Sequence, residues 1–162
     1  MFRKMRRFKQ ELSSESTIKI LESGSHGTLA VLGDEGYPYA VPLSYVYTDG
    51  RLYFHCAPDG HKLDALRNSD KASFCVVARD EVIPERLTTI YASAIAFGKA
   101  KIIEDVSEKR RALELLSEKY TPAYQGKSDE AVSSAWDRVC VVAFEIEHLS
   151  GKASMDIINS EK

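Results

Sequence analysis

The sequence predicts a mainly β protein, a β-barrel of six antiparallel strands with helices at its periphery. Three observations predict this class. Six segments have the length and composition of strands, Gly- and Asp-rich turns separate the first of them, and too few helices follow the strands for parallel βαβ units. The 162 residues are enough for a single domain, 1–162, with a sizeable core.

The first part of the chain predicts one helix followed by three strands. The helix covers 14–23 and ends before Gly24, because glycine commonly follows a helix C-terminus. Strand-like segments come next, at 27–32, 37–47 and 51–57. The turns GDEG and TDG between them are typical of hairpins, so we expect these three strands to form an antiparallel meander.

Two prolines mark the second predicted strand. Pro38 and Pro42 each remove a backbone N–H that a neighbouring strand would otherwise use. They favour an edge strand, and the alternative is a strand whose backbone faces a ligand instead of another strand.

The rest of the chain predicts a mixture of helices and strands. The elements are a helix at 61–68, strands at 71–78 and 88–103, a helix after Asp105, a helix at 128–137 and a strand at 139–149. Gly98 is a candidate bulge, and Asp105 with Glu108 has the spacing of a capping box. Residues 1–12 form a basic N-terminal arm, and residues 151–162 are expected to be a polar tail.

Composition excludes several classes of function. The net charge is −2, so no basic field for nucleic acid covers the chain, and no apolar run reaches the roughly 20 residues of a membrane span. The three cysteines have no CxxC spacing and predict reduced thiols in a cytoplasmic protein. The basic start favours a solvated tail, with an arm that contacts a partner subunit or an anionic ligand as the alternative.

The stretch FHCAPDGHK is the strongest candidate for chemistry. A strand ends there, Pro58, Asp59 and Gly60 interrupt it, and a helix opens with His61 and Lys62. Cations at a helix N-terminus oppose the helix dipole, whereas an anion would complement the dipole and the free N–H groups. A phosphate site is therefore one interpretation, and a solvated helix start is the other.

Other kinds of site find little support in the sequence. A strand alternates its faces, so His55 and Cys56 point in opposite directions and cannot readily share a metal ion. The sequence has no GxSxG nucleophile elbow and no GxxxxGK[ST] phosphate loop. Trp136 is interpreted as an anchor between a helix and the barrel, with ligand stacking as the alternative.

Several motifs in order resemble one known family. The segments GYPYAVPLSY and YFHCAPDGHK, then Ser93 followed by FGKA, and a C-terminal HLSGK, together resemble the pyridoxamine-phosphate-oxidase-like flavoproteins. Within that family the chain is most similar to the 5-nitroimidazole-resistance branch. The resemblance extends over roughly residues 5–152, nearly the whole chain.

The resemblance implies a six-stranded split β-barrel homodimer with two FMN molecules at the subunit interface. The strand with Tyr39, Ala40, Val41, Pro42, Leu43 and Ser44 would lie along the isoalloxazine, largely through its backbone. Phe54 and His55 would line the ribityl and ring region. His61 and Lys62 would bind the phosphate, and Ser93 would supply a further polar contact to FMN.

Two departures from the family pattern bear on function. The oxidase has Ser-Arg-Lys where this chain has Gly60-His61-Lys62, so a bidentate arginine is missing from the phosphate site. Arg67 and the N-terminal arginines are candidates to replace it. The C-terminal Arg-x-His element that holds the oxidase's substrate also has no equivalent here, which disfavours vitamin B6 oxidation.

The resemblance therefore predicts an FMN-dependent oxidoreductase. Electrons would pass from NAD(P)H to a small planar or nitroaromatic acceptor, as in nitroimidazole reduction or resistance. His55 is the candidate catalytic residue, as hydrogen-bond donor or proton source, with a structural role at the strand end as the alternative. The other hypothesis is a flavin- or haem-binding storage or sensor protein without turnover.

Overall fold

The computed structural model describes residues 1–160, and it describes the backbone alone at 125–129 and 131. The strands are β1 (His26–Leu32), β2 (Pro38–Ser44), β3 (Val46–Thr48), β4 (Arg51–Cys56), β5 (Lys71–Ile83), β6 (Thr88–Ile102) and β7 (Cys140–Ala153). The α-helices are α1 (Ser14–Ser23), α2 (His61–Asn68), α3 (Val106–Tyr120), α4 (Ser128–Ala135) and α5 (Met155–Ser160). Short 3-10 turns occur at Phe8–Gln10, Asp34–Gly36, Pro84–Arg86, Pro122–Lys127 and Trp136–Arg138.

The described strands form one antiparallel sheet in the order β2-β1-β5-β6-β7-β4-β3. A single residue, Tyr45, separates β2 from β3, yet these strands lie at opposite ends of the sheet. The sheet must therefore curl until its two ends approach each other, which produces an open, split-barrel-like fold. This confirms the mainly β class with peripheral helices.

The strand count and the meander need correction. The predicted strand at 37–47 is divided at Tyr45, so the sheet has seven strands and not six. Each predicted turn does join a hairpin, β1 with β2 and β3 with β4, but β2 pairs with β1 and not with β3. The predicted meander of three strands was therefore wrong within its second strand, at Tyr45, and not at either turn.

A contact with α3 explains the division at Tyr45. The backbone N–H of Tyr45 donates to the Tyr120 hydroxyl at 2.9 Å, and that hydroxyl lies 2.7 Å from the Tyr45 carbonyl oxygen. A side chain thus takes the place that a neighbouring strand would occupy. The Tyr45 hydroxyl is itself buried and donates to the carbonyl of Leu21 at 2.7 Å.

The core has two parts. The larger part lies between the concave face of the sheet and the helices α1 and α2, and its fully buried members include Leu21, Leu29, Phe54, Leu63, Phe74 and Phe144. The smaller part lies where α3 and α4 pack against β3, β4 and β7; its buried members are Val46, Tyr53, Ala112, Leu113, Leu116, Val132 and Val141. Trp136 packs against this second cluster, as predicted for an anchor.

Local signals located the helices and the edge strand well. The predicted bounds of α1 and α2 are both confirmed. Asp105 caps α3 by accepting from the Glu108 N–H at 2.7 Å, but the capping box is only half formed, because the Glu108 carboxylate accepts from Tyr53 instead. β2 is an edge strand, as its prolines predicted, and the sheet register shifts at Gly98, as predicted for a bulge.

Both chain ends are more ordered than the sequence suggested. The predicted polar tail at 151–162 begins inside β7, which continues to Ala153, and α5 follows; residues 161 and 162 lie outside the described part. The N-terminal arm is tied to the sheet at its end, because Leu12 is buried and its N–H donates to the carbonyl of Gly151 at 3.0 Å. Its basic side chains are exposed, as predicted for a solvated basic segment; they are Arg3, Lys4, Arg6, Arg7 and Lys9. Within residues 1–160, no helix is long and apolar enough to cross a membrane.

Candidate functional site

The outer face of β2 is a flat shelf of small side chains. Ala40, Pro42 and Ser44 are exposed on it, whereas Tyr39, Val41 and Leu43 alternate with them and pack against the core. The outward neighbours of Ala40 and Pro42 across β1 and β5 are also small, namely Thr28, Ala30, Ser73 and Cys75, whereas His26 lies opposite Ser44. A planar ligand can approach the backbone closely on such a surface.

The start of α2 lies beside the Tyr39 end of β2, next to a side chain that points away from the shelf. The imidazole of His61 stacks on the ring of Tyr39, with the ring centroids 4.2 Å apart. Its Nε2 atom is 3.4 Å from the Asp34 carboxylate in the turn between β1 and β2. The structure therefore brings together two predicted site residues from different elements, Tyr39 and His61.

The N-terminus of α2 has unused hydrogen-bond donors. The N–H groups of Leu63 and Asp64 donate to the carbonyl of Gly60, which leaves those of His61 and Lys62 as the first free donors. No described side chain caps this end, and Gly60 adopts a φ of 124° that favours glycine. An anion with several acceptor oxygens, such as a phosphate, fits this end of the helix.

The helices α1 and α3 begin differently from α2. At α1 the Ser13 hydroxyl accepts from the Ser16 N–H, and at α3 the Asp105 carboxylate accepts from the Glu108 N–H. In each of these two helices a side chain of the chain itself occupies the N-terminus. The start of α2 is the one of these three at which no described side chain takes that place, so an external anion can approach it.

Lys62, the second residue of α2, acts on a different part of the structure. Its charge acts on the thiols of Cys56 and Cys140, which face each other across β4 and β7. Burial raises the pKa of Cys56 to about 11, and the positive charge of Lys62 opposes that rise. His61 thus lies beside Asp34, whereas Lys62 is the cation that acts on Cys56 and one of three, with Lys109 and Arg67, that act on Cys140.

The raised pKa of Cys56 predicts that its thiol reacts slowly with alkylating reagents. The ordinary value is 9.0 and the value here is about 11, so at pH 8 the thiolate is about a hundredfold scarcer than in the unfolded chain. We expect iodoacetamide to alkylate Cys56 correspondingly more slowly in the folded protein than in urea, with the folded rate rising about tenfold per pH unit up to pH 10. Peptide mass spectrometry measures both rates, and equal rates in the two states would contradict the prediction.

Ser44 and His55 meet at a separate cavity of about 400 Å³. Its lining comes from the ends of β2 and β4, from α3 and α4, and from the residues just beyond these helices: Ser44, His55, Leu113, Leu116, Ser117, Tyr120, Thr121, Val132, Ala135 and Val139. We call this cavity the α3 pocket. His55 is exposed at its edge, whereas the side chain of Phe54 is fully buried in the core, so Phe54 can meet a ligand only through its backbone.

The remaining predicted residues lie elsewhere. Ser93 is on β6, where it pairs with Val77 and Lys152; in the sheet order, β1 and β5 separate β6 from β2. Arg67 forms a 2.7 Å ion pair with Asp64 on its own helix. The N-terminal arm runs beside β7, with Phe2 stacked on His148, 4.7 Å between ring centroids. In that arm, Arg6 and Arg7 gather near Tyr91 and Lys152, on the Ser93 side and not at α2.

The α3 pocket is the feature that the sequence did not reveal. The apolar spacing of Leu113 and Leu116 predicted one buried face of α3, and Trp136 predicted an anchor nearby. Neither signal indicates that the face is incompletely covered or that His55 borders the gap. That information depends on how α3 and α4 are positioned on the sheet.

One known protein family matches most of the chain. The model of the pyridoxamine 5'-phosphate oxidase family matches residues 13–153. The chain belongs to this family. The match includes β2, the start of α2, Ser93 and the lining of the α3 pocket. The comparison with curated proteins finds no match.

Solved structures agree with the family assignment. A candidate 5-nitroimidazole antibiotic resistance protein from Bacteroides thetaiotaomicron is similar with a TM-score of 0.76 and 25% identity, over 88% of this chain and 86% of that chain. A FAD-binding protein from Mesorhizobium loti is similar with a TM-score of 0.64 and 24% identity, over 89% of this chain and 96% of that chain. A FAD and heme binding protein from Mycobacterium smegmatis is similar with a TM-score of 0.75 and 23% identity, over 94% of this chain and 80% of that chain. The last two share the fold alone.

Proposed function

We propose that the chain is an FMN-dependent oxidoreductase that passes electrons from NAD(P)H to a small planar or nitroaromatic acceptor. The observation that carries the proposal is the uncapped start of α2, with Lys62, beside the Tyr39 end of β2, the strand whose outer face forms the shelf. The shelf suits a planar ring through backbone contacts, and the helix start suits a phosphate. The two features have the chemistry of the two ends of a flavin nucleotide.

The relatives support a flavin and the local geometry supports FMN. Two similar structures are of FAD-binding proteins, and the family is that of a flavin-type oxidase by resemblance. The α2 start offers two free N–H donors and one lysine, which is a site for a single phosphate group. We therefore assign FMN as the cofactor and place its phosphate at His61 and Lys62.

We further propose a homodimer with two FMN molecules at its interface. Several large apolar side chains are exposed on the outer face of β5 and β6; Val77 is 59% exposed and Phe97 is 40% exposed. Their burial against a second copy would contribute to dimer stability. Such packing would also bring Ser93 of one copy toward the shelf of the other, which accounts for its distance from β2.

In this proposal the bound flavin supplies electron transfer between the nicotinamide and the acceptor. The chain orients the ring through the backbone of residues 39–44 and excludes water from its outer face through the dimer contact. His55, exposed at the mouth of the α3 pocket, acts as a hydrogen-bond donor or proton source to the acceptor. The three free thiols are consistent with a reducing compartment, so we place the enzyme in the cytoplasm.

The visible spectrum tests the proposal directly. The purified protein, reconstituted with FMN, is expected to show a flavin band that NADH or NADPH bleaches and that a nitroimidazole restores. A flavin that no nicotinamide reduces, or a haem Soret band, would favour the storage or sensor alternative. A protein that takes up neither cofactor would contradict both.

A further inference from the structure

The α3 pocket has an apolar interior and a polar mouth. Its interior consists of five apolar side chains from α3, α4 and the residues that follow; they are Leu113, Leu116, Val132, Ala135 and Val139. Ser44 and His55 stand at the ends of β2 and β4 and are exposed. The hydroxyls of Ser117 and Thr121 hydrogen-bond to each other at 3.0 Å. The pocket therefore presents donors and acceptors at the ends of β2 and β4 and at the C-terminal end of α3.

Size and charge restrict what can occupy it. A cavity of about 400 Å³ is within the range of small-molecule sites. Among the ten described residues that line it, none is an acid, a lysine or an arginine. A charged ligand would lose its hydration without finding an opposite charge, whereas an apolar ring would gain contacts. A neutral molecule with hydrogen-bonding groups on its rim fits these conditions.

The pocket also touches the proposed cofactor strand. Ser44 is the last residue of β2, so the strand that carries the flat shelf also borders the pocket mouth. On the other side of the mouth stands His55, one residue before the end of β4. A ligand in the pocket would thus lie at the end of the shelf, next to the two predicted polar residues.

We propose that the α3 pocket is the acceptor site, and that the acceptor is a neutral, planar, mostly apolar molecule such as an alkylated quinone. The acceptor role rests on the proposed flavin function; binding itself does not. In the reaction, the quinone gains two electrons and two protons and becomes the hydroquinone, while the reduced cofactor returns to its oxidised form. The described lining, which contains no acid, lysine or arginine, does not accommodate phosphorylated or otherwise anionic acceptors.

Binding is tested first without any cofactor. The single tryptophan, Trp136, packs against the cluster that contains Leu113, Leu116 and Val132, so its fluorescence reports on the pocket. Tetramethyl-1,4-benzoquinone is the probe, because it is neutral and its substituted ring has no open position for thiol addition. We expect saturable quenching in the flavin-free full chain. Quenching that stays linear with quinone concentration would overturn the proposal.

A cavity-filling variant and a matched control locate the site. Ala135→Leu places a larger apolar side chain in the lining and is expected to raise the dissociation constant of the quinone about tenfold, through lost apolar contact. Ser133→Leu adds the same side chain to an exposed position of the same helix and is expected to change nothing. Ser117→Leu fills the pocket from α3 and keeps the test valid if Ala135→Leu does not fold. Equal affinities in the folded variants would overturn the proposal.

The acceptor role is tested on the FMN-loaded protein. After photoreduction, reoxidation by the quinone is expected to be about tenfold slower in Ala135→Leu than in Ser133→Leu, in line with the lost affinity. Reoxidation by hexacyanoferrate(III), a trianion that the lining excludes, is expected to be equal in both. If FMN binds and both oxidants react equally in both variants, the acceptor assignment is wrong while the flavin function stands. If FMN does not bind but quenching is saturable, the flavin function and the acceptor role fail and the binding pocket stands.

Discussion

Replacing Lys62 with alanine is expected to weaken FMN binding by about ten- to hundredfold. Lys62 is the cation at the uncapped start of α2, where the proposed phosphate would also meet the N–H groups of residues 61 and 62. A hydrogen bond to a charged group contributes about 1.5 to 3 kcal/mol, which corresponds to this loss of affinity. Titration of the flavin-free protein, followed by quenching of FMN fluorescence, measures it.

Two further variants control this result. Lys71→Ala removes an exposed lysine at the start of β5, and FMN affinity is expected to remain unchanged. Asp34→Asn removes the carboxylate that lies 3.4 Å from His61 Nε2 and is expected to strengthen FMN binding, because it removes a negative charge close to the phosphate. Loss of affinity confined to Lys71→Ala, or no loss in Lys62→Ala, would refute the phosphate assignment.

Gly151→Ala is expected to lower the free energy of unfolding by about 2 to 3 kcal/mol, through overpacking. A Cβ atom at residue 151 would lie 2.1 Å from Thr17 Oγ1 and 2.9 Å from two other atoms of that side chain. Thr17 is 2% exposed, and its hydroxyl donates to the carbonyl of Ser13 at 2.7 Å. It has no free space to move into, so β7 and α1 would separate. Urea unfolding, monitored by circular dichroism, measures the loss.

A double-mutant cycle identifies the cause of this loss. Thr17→Gly removes the side chain that would clash and destabilises the protein on its own, through a lost hydrogen bond and a glycine within α1. If the clash is responsible, the double variant loses less stability than the sum of the two single variants. Strict additivity would show that Gly151→Ala acts in some other way.

The family motif HLSGK now has a physical basis in this contact. Gly151 lies in β7, and its missing side chain leaves room for Thr17 of α1. Its carbonyl also accepts from Leu12, which fixes the N-terminal arm. The glycine of this motif therefore joins a strand, a helix and the arm, a role that its position in the supposed polar tail did not suggest.

The sequence determined those features that depend on neighbouring residues. The bounds of α1 and α2 followed from local start and stop signals, and the two prolines identified β2 as an edge strand. The hairpin turns were also correct, because turn chemistry is contained in a few residues. The strand at 71–78 was predicted too short, since its continuation through Arg79, Asp80 and Glu81 is exposed and lacks an apolar pattern; pairing with β6 extends it to Ile83.

Only the tertiary structure decided where distant segments meet. The division of β2 from β3 depends on Tyr120, which is 75 residues from Tyr45 in the chain, and no local pattern could report this contact. The curl of one sheet decides three further placements: His61 beside Asp34, the α3 pocket, and Ser93 on a strand that is not a neighbour of β2. Sequence patterns fix local conformation and identify the apolar face of each element; packing over long distances determines which faces meet and where a cavity remains.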